Sequence, residues 1–260
     1  LMKRNLLLLL SFQIVLAALA VDLKRCRIVV SDSEVALVKK MAVVLSDDIE
    51  RVTDVRPSIS ARSVDGPSVI LATADNVSGW LGDVDVADIR GDWERYKILT
   101  RGDRLFIVGS DARGLAYGVF HVSEQIGVSP WYWWADVPVE KKKTLNYKEN
   151  YVSQSPTIKY RGVFINDEDW GMKTWSAENF EKELGDIGRK AYDKVCELLL
   201  RLKGNMLAPA MHTCTGAFYS HPESQKVAAE WGIMITTSHC EPLLFNNAAP
   251  SEWAKERDGE

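Results

Sequence analysis

The chain has 260 residues, 46% of them hydrophobic and 26% charged, with a formal net charge of -4. That balance belongs to a soluble globular protein with room for one large domain or two ordinary ones. The acidic pI near 5.7 argues against a nucleic-acid surface, because no basic stripe exists to release phosphate counterions.

The chain starts with Lys3 and Arg4 ahead of an apolar stretch from Leu6 to Leu19, and Ala18-Leu19-Ala20 supplies a small-x-small pattern. This predicts a secretory signal over residues 1–20, cleaved after Ala20. The apolar stretch covers about 14 residues, short of the roughly 20 that a membrane helix needs. No lasting membrane anchor is expected, and the mature protein should be secreted or periplasmic. Four cysteines follow (Cys26, Cys196, Cys214, Cys240). Without a CxxC or CxxH pair, free or structural thiols are expected rather than metal ligands or nucleophiles.

Residues 21–150 alternate strand and helix patterns and predict a small α/β domain. Arg27 to Val30 forms a strand. Ser31 to Ser33 offer an N-cap to a helix with Val38, Met41, Ala42, Leu45, Ile49 and Val52 on one face. Ser68 to Ala72 is a second strand, and Tyr96 to Leu99 and Leu105 to Val108 form a hairpin across Arg101-Gly102-Asp103. A helix after Gly109-Ser110-Asp111 carries Leu115, Val119, Val122 and Ile126. The run Trp131-Tyr132-Trp133-Trp134 suits closure of a core or domain interface, with stacking on sugar faces as the alternative. Lys141-Lys142-Lys143 suits a solvated face, and residues 140–157 suit a linker ending in Ser155-Pro156. His121 and His221 are expected to be structural.

From residue 151 a βα rhythm begins. Ile158 to Ile165 is a strand, Glu178 to Lys203 a long helix, Met206 to Ala210 a strand, Glu223 to Trp231 a helix and Ile233 to Thr237 a third strand. Repeated units with polar residues after each strand predict the start of a (β/α)8 TIM barrel. A doubly wound sheet fits less well, since no Gly-rich loop follows the first strand. The fold class expected is therefore α/β, a small N-terminal domain followed by the first part of a barrel over residues 151–260.

Under that arrangement the strand ends carry the chemistry. The first delivers Asn166, Asp167, Glu168, Asp169 and Trp170. The second is preceded by Lys203-Gly204-Asn205 and followed by His212; the third ends in His239-Cys240-Glu241-Pro242. Clustered carboxylates raise one another's pKa values, so such a run suits a place where a proton, metal or ligand is handled. A carboxylate-rich barrel face suits glycoside cleavage, with one carboxyl group protonating the leaving oxygen and another activating water or attacking carbon. Asp167, Glu168, Asp169 and Glu241 are the candidates. Asn166, Trp170, Asn205 and His239 would bind substrate, while His212, which follows an apolar run, is expected to pack or to support them. A divalent ion on Asp167, Asp169, His239 and Glu241 is the competing use, but neither a HExxH spacing nor a calcium-loop glycine supports it; no metal or cofactor is expected.

Three ordered segments carry a resemblance: Tyr160-Arg161-Gly162-Val163-Phe164-Ile165-Asn166-Asp167-Glu168-Asp169-Trp170-Gly171, Leu202-Lys203-Gly204-Asn205-Met206-Leu207-Ala208-Pro209-Ala210-Met211, and Thr236-Thr237-Ser238-His239-Cys240-Glu241-Pro242. Together they resemble glycoside hydrolase family 115, the xylan α-glucuronidases. The resemblance implies an exported enzyme that removes glucuronic or 4-O-methylglucuronic acid, α-1,2-linked, from xylose residues with inversion. Its partners would be glucuronoxylan or aldouronic oligosaccharides. A complete barrel takes about 250 residues, whereas about 100 follow Ile158. An incomplete catalytic set is therefore expected, as is poor solubility for residues 158–260 alone. A non-catalytic carbohydrate-binding or scaffold protein is the alternative.

Overall fold

The computed structural model describes residues 20–76, 84–165, 171–210 and 218–237. Residues 1–19 of the expected signal segment lie outside these, as do Cys214 and Cys240. The chain divides into two compact units, the first ending at Thr157 and the second beginning at Ile158.

The first unit is built on a six-stranded sheet in the order β3-β2-β4-β6-β5-β8. Its strands are β2 (Arg27–Val30), β3 (Ile59–Ser60), β4 (Ser68–Thr73), β5 (Tyr96–Arg101), β6 (Arg104–Gly109) and β8 (Asn150–Val152). β3, β2, β4 and β6 run parallel, and β5 pairs antiparallel with both β6 and β8. Helix α1 (Ala36–Thr53) buries Val38, Met41, Leu45, Ile49 and Val52 completely. This is the predicted stripe, and each such side chain contributes roughly 1.5–3 kcal/mol by leaving water. Helix α2 (Ala112–Ile126) starts where the Asp111 carboxylate accepts the Gly114 N–H at 2.7 Å. A separate cluster joins Val29, Ile70 and Phe106 of the strands to Val84, Val86 and Ile89 of the following segment.

Three expectations for this unit are corrected. The serines do not cap α1: its N-cap is Val35, without a side-chain bond, while Ser31 Oγ accepts the Ser33 N–H instead. Residues 140–157 are not a plain linker, for β8 completes the sheet and β7 (Asn146–Tyr147) pairs with β1 (Val21–Asp22) at the start of the unit. The lysine run is not merely solvated. Lys142 donates its N–H to Val52 O at 2.8 Å and its ammonium to Ile126 O at 2.7 Å. It thus satisfies a terminal carbonyl of each helix, where a cation also suits the dipole.

A polar lock fastens the same strap. His121 of α2 has Nδ1 3.0 Å from Tyr96 Oη and Nε2 3.0 Å from Glu149 Oε1, and the Tyr147 hydroxyl donates to the other oxygen of Glu149. The structural role expected of His121 is the one observed. Cys26 is a buried free thiol.

The second unit contains a three-stranded parallel sheet ordered β11-β10-β9. Strand β9 is Gly162–Phe164, β10 Met206–Ala208 and β11 Met234–Ile235. Helix α4 (Arg189–Arg201) links the first pair and α5 (Pro222–Glu230) the second. Both connections are therefore βαβ crossovers with neighbouring strands in sequence order. At Gly162 a Cβ would lie 1.9 Å from Met206 O, so only glycine lets β9 approach β10 this closely.

The single long helix expected over 178–203 is broken. Helix α3 (Met172–Trp175) runs into a π-helical turn (Ser176–Phe180), a loop follows, and α4 starts only at Arg189. Gly185 has φ +67°, a left-handed conformation that ends helical continuation. Glu181 completes the break: its carboxylate accepts the N–H groups of Gly188, Lys190 and Ala191 at 2.9, 3.1 and 2.9 Å. A side chain that caps a helix start cannot also lie within that helix.

Candidate functional site

The register aligns Gly162 with Met206 and Met206 with Met234. At the other ends of the strands, Ile165 N donates to Ala208 O and Thr236 N to Leu207 O, each at 2.9 Å. Three chain segments therefore leave from one edge of the sheet, the carboxyl-terminal edge where βα folds assemble their chemistry. Asn166, Asp167, Glu168, Asp169 and Trp170 follow Ile165 directly in sequence; His212 follows the second strand, and His239 and Glu241 the third. All of these lie outside the described residues.

Asn205 is the one site candidate the structure describes; it precedes the second strand as read from the sequence, and its expected share in the strand-end cluster is what is corrected. It precedes β10 at the opposite, amino-terminal edge and is fully buried. Its Oδ1 accepts the Arg161 N–H at 2.9 Å and its Nδ2 donates to Lys159 O at 2.7 Å, while its own carbonyl accepts Met234 N–H. The amide is a brace across the three strands rather than a group held out to substrate. Only the spacing to Met206 could have signalled this, because the chemistry enters a βα fold after a strand and Asn205 comes before one.

The segments behind the carboxyl-terminal edge are tied together. Ser176 Oγ donates to Asp186 O at 2.8 Å, and His221 Nε2 lies 2.8 Å from Asp186 Oδ2. One residue thus joins the π-helical turn, the approach to α4 and the start of α5. The two helices are further bound by Arg189 to Glu230 at 2.9 Å and by the Trp231 indole N–H to Asp193 at 2.8 Å. Within α4, burial works to raise the Glu197 carboxyl, but Arg201 and Lys194 beside it prevail and hold it below its ordinary value. A cavity of about 540 Å³ opens between the starts of α4 and α5. Sequence reasoning missed this support system; the signal available was a carboxylate, Glu181, placed ahead of two glycines.

Among the described residues no group of three or more His, Cys, Asp or Glu is placed to hold a metal ion. No described helix is long and apolar enough to cross a membrane.

Solved structures share this architecture. A β-hexosaminidase of Streptomyces plicatus superposes with a TM-score of 0.54 at 14% identity, over 84% of this chain and 42% of that one. The β-N-acetylhexosaminidase of Streptomyces coelicolor A3(2) does so with 0.53 at 12% identity over the same shares. At such identities the likeness shows the fold alone, an α/β fold used by carbohydrate-cleaving enzymes. Much nearer is BtGH115A, a family GH115 4-O-methyl-α-glucuronidase with specificity for decorated arabinogalactans, with a TM-score of 0.80 and 33% identity over 89% of this chain. Residues 153–260 also match the family model for glycosyl hydrolase family 115. The chain belongs to glycosyl hydrolase family 115. It spans 31% of the length of BtGH115A. No curated protein matches it.

Proposed function

We propose that this chain forms part of an exported glycoside hydrolase that removes glucuronic or 4-O-methylglucuronic acid from a decorated plant polysaccharide. The observation that carries this reading is the 33% identity with a 4-O-methyl-α-glucuronidase across 89% of the chain, beside a family-model match over residues 153–260 that spans the acidic run after β9. Parallel strands in sequence order, each crossover helical, support the second unit as the first part of a (β/α)8 barrel. In the inverting reaction one carboxylic acid protonates the glycosidic oxygen while a carboxylate roughly 6.5–9.5 Å away activates water. Asp167, Glu168, Asp169 and Glu241 are the groups proposed for these tasks, with Asn166, Trp170 and His239 binding the uronate. Substrate is either glucuronoxylan, as the sequence motifs suggest, or arabinogalactan, which the relative prefers.

A chain spanning 31% of that relative supplies part of the set. The expected pattern is little uronic acid release by residues 21–260 and clear release once the chain is extended to the relative's length. In the extended protein, Asp167→Ala and Glu241→Ala should each lower release from aldouronic acids or arabinogalactan fragments by at least about a hundredfold, the usual scale for a lost acid or base. Unchanged rates in both variants would remove these residues from the reaction.

A further inference from the structure

We infer that the cavity between the starts of α4 and α5 is a binding site for a sugar residue of the polysaccharide, separate from the candidate catalytic groups. The inference rests on the glycosidase reading for its ligand class. Its geometry is independent of that reading.

The volume of about 540 Å³ falls within the roughly 300–1,000 Å³ of small-ligand sites. Much of its charge is spent internally. Glu181 caps α4 with three N–H bonds, and Arg189 is held by Glu230 at 2.9 Å and Glu223 at 3.5 Å. What remains is mixed in sign and hydrogen-bonding sense. Lys182, Lys190 and Glu183 line the cavity without an ion-pair partner among the described residues. His221 has one ring nitrogen fixed by Asp186 and the other without a partner among the described residues. Asn179 donates to Trp175 O and keeps its carbonyl oxygen.

Such a lining discriminates between ligands. A bare anion would meet Glu183, and a bare cation would meet the two lysines. A polyol, whose hydroxyls both donate and accept, can use all of these groups. Phe180 and Leu184 supply the apolar wall against which the C–H face of a pyranose packs. Phe180 is held in place by Trp175, stacked behind it at 5.3 Å and 26°. Both walls of the cavity belong to segments that leave the carboxyl-terminal edge of β9 and β10. A polysaccharide engaged there would be held on the face from which the acidic run departs.

The test is binding by the 260-residue chain, measured by calorimetry and by the imidazole signals of its four histidines. The probes are glucuronic-acid-bearing xylo-oligosaccharides, decorated arabinogalactan fragments, free xylose and free glucuronate. Saturable binding of an oligosaccharide that shifts the His221 signals is expected. Asn179→Ala with Lys190→Ala should weaken it at least tenfold, and Arg25→Ala, at an exposed residue of the first unit, should leave it unchanged. Loss of binding in Asp167→Ala with retention in the double variant would assign the sugar to the candidate catalytic groups and overturn the inference. So would the absence of binding up to about 10 mM, a concentration that reveals a millimolar Kd. Uronic acid release in the extended protein is followed separately: binding without release removes the hydrolytic reading and keeps the cavity, and release without cavity binding does the reverse.

Discussion

Asn205 shows how a polar residue in a family motif can serve the scaffold. Its side chain, itself fully buried, bonds an N–H and a carbonyl of the segment entering β9. Removing it takes the side-chain acceptor from the Arg161 N–H, while Lys159 O keeps the Arg161 guanidinium at 3.1 Å, at a cost of about 1–2 kcal/mol. Asn205→Ala should therefore lower the unfolding free energy of the second unit, read from its urea transition, by that amount. Wild-type stability in this variant would return Asn205 to the list of substrate ligands. The acidic residues after Ile165 read in the sequence as chemistry, three adjacent carboxylates beside an amide and an indole, and lie outside the described residues. Asn205 was legible only as polar. Whether an amide faces substrate or backbone depends on which end of the strand it occupies, and the exact strand limits are the least readable part of a sequence.

At the scale of elements, the close approach of β9 and β10 depends on Gly162. An added methyl group would meet the Met206 carbonyl at 1.9 Å, and backbone cannot yield as a flexible side chain can. Gly162→Ala is expected to separate the strands and weaken the three-stranded sheet, visible as faster amide exchange at Met206 and Leu207. Exchange rates equal to wild type would show that the sheet accommodates the methyl. The strongly periodic elements were plain in the sequence: α1, α2 and the hairpin of β5 and β6 each follow their predicted pattern. The expected helix over 178–203 failed because Phe180, Leu184 and Ile187 prolong the 3.6-residue period. The capping of α4 by Glu181 overrides that period through a contact seven to ten residues away in sequence. The strap holding β7 and β8 was missed for the opposite reason, since pairs as short as Asn146–Tyr147 carry no pattern to detect.

At the scale of the whole molecule, the first unit stores its acid-base sensitivity on the alkaline side. Burial, aided by Asp22, pushes the Cys26 thiol up to about 12. Burial also raises Tyr96, with Tyr151 adding to it, and Tyr147, where the bond to Glu149 adds. Groups that hold their protons more tightly when folded contribute stability that is complete below their unfolded values and is lost as pH rises through the folded ones. With ordinary values of 9.0 for the thiol and 10.0 for the phenols, stability should be level up to about pH 8.5 and fall steadily above pH 9. Tyr147→Phe should flatten that fall. A urea midpoint constant from pH 8 to pH 11 would contradict the assignment.

The pairing of β1 with β7 bears on how such a unit can be moved between proteins. Val21 lies opposite Tyr147 and Asp22 opposite Asn146, so the first and a late strand of the described unit lie about 5 Å apart, one strand spacing. A module whose two ends meet can be spliced into a loop of another protein, or reopened elsewhere and rejoined by a short bridge, without pulling its sheet apart.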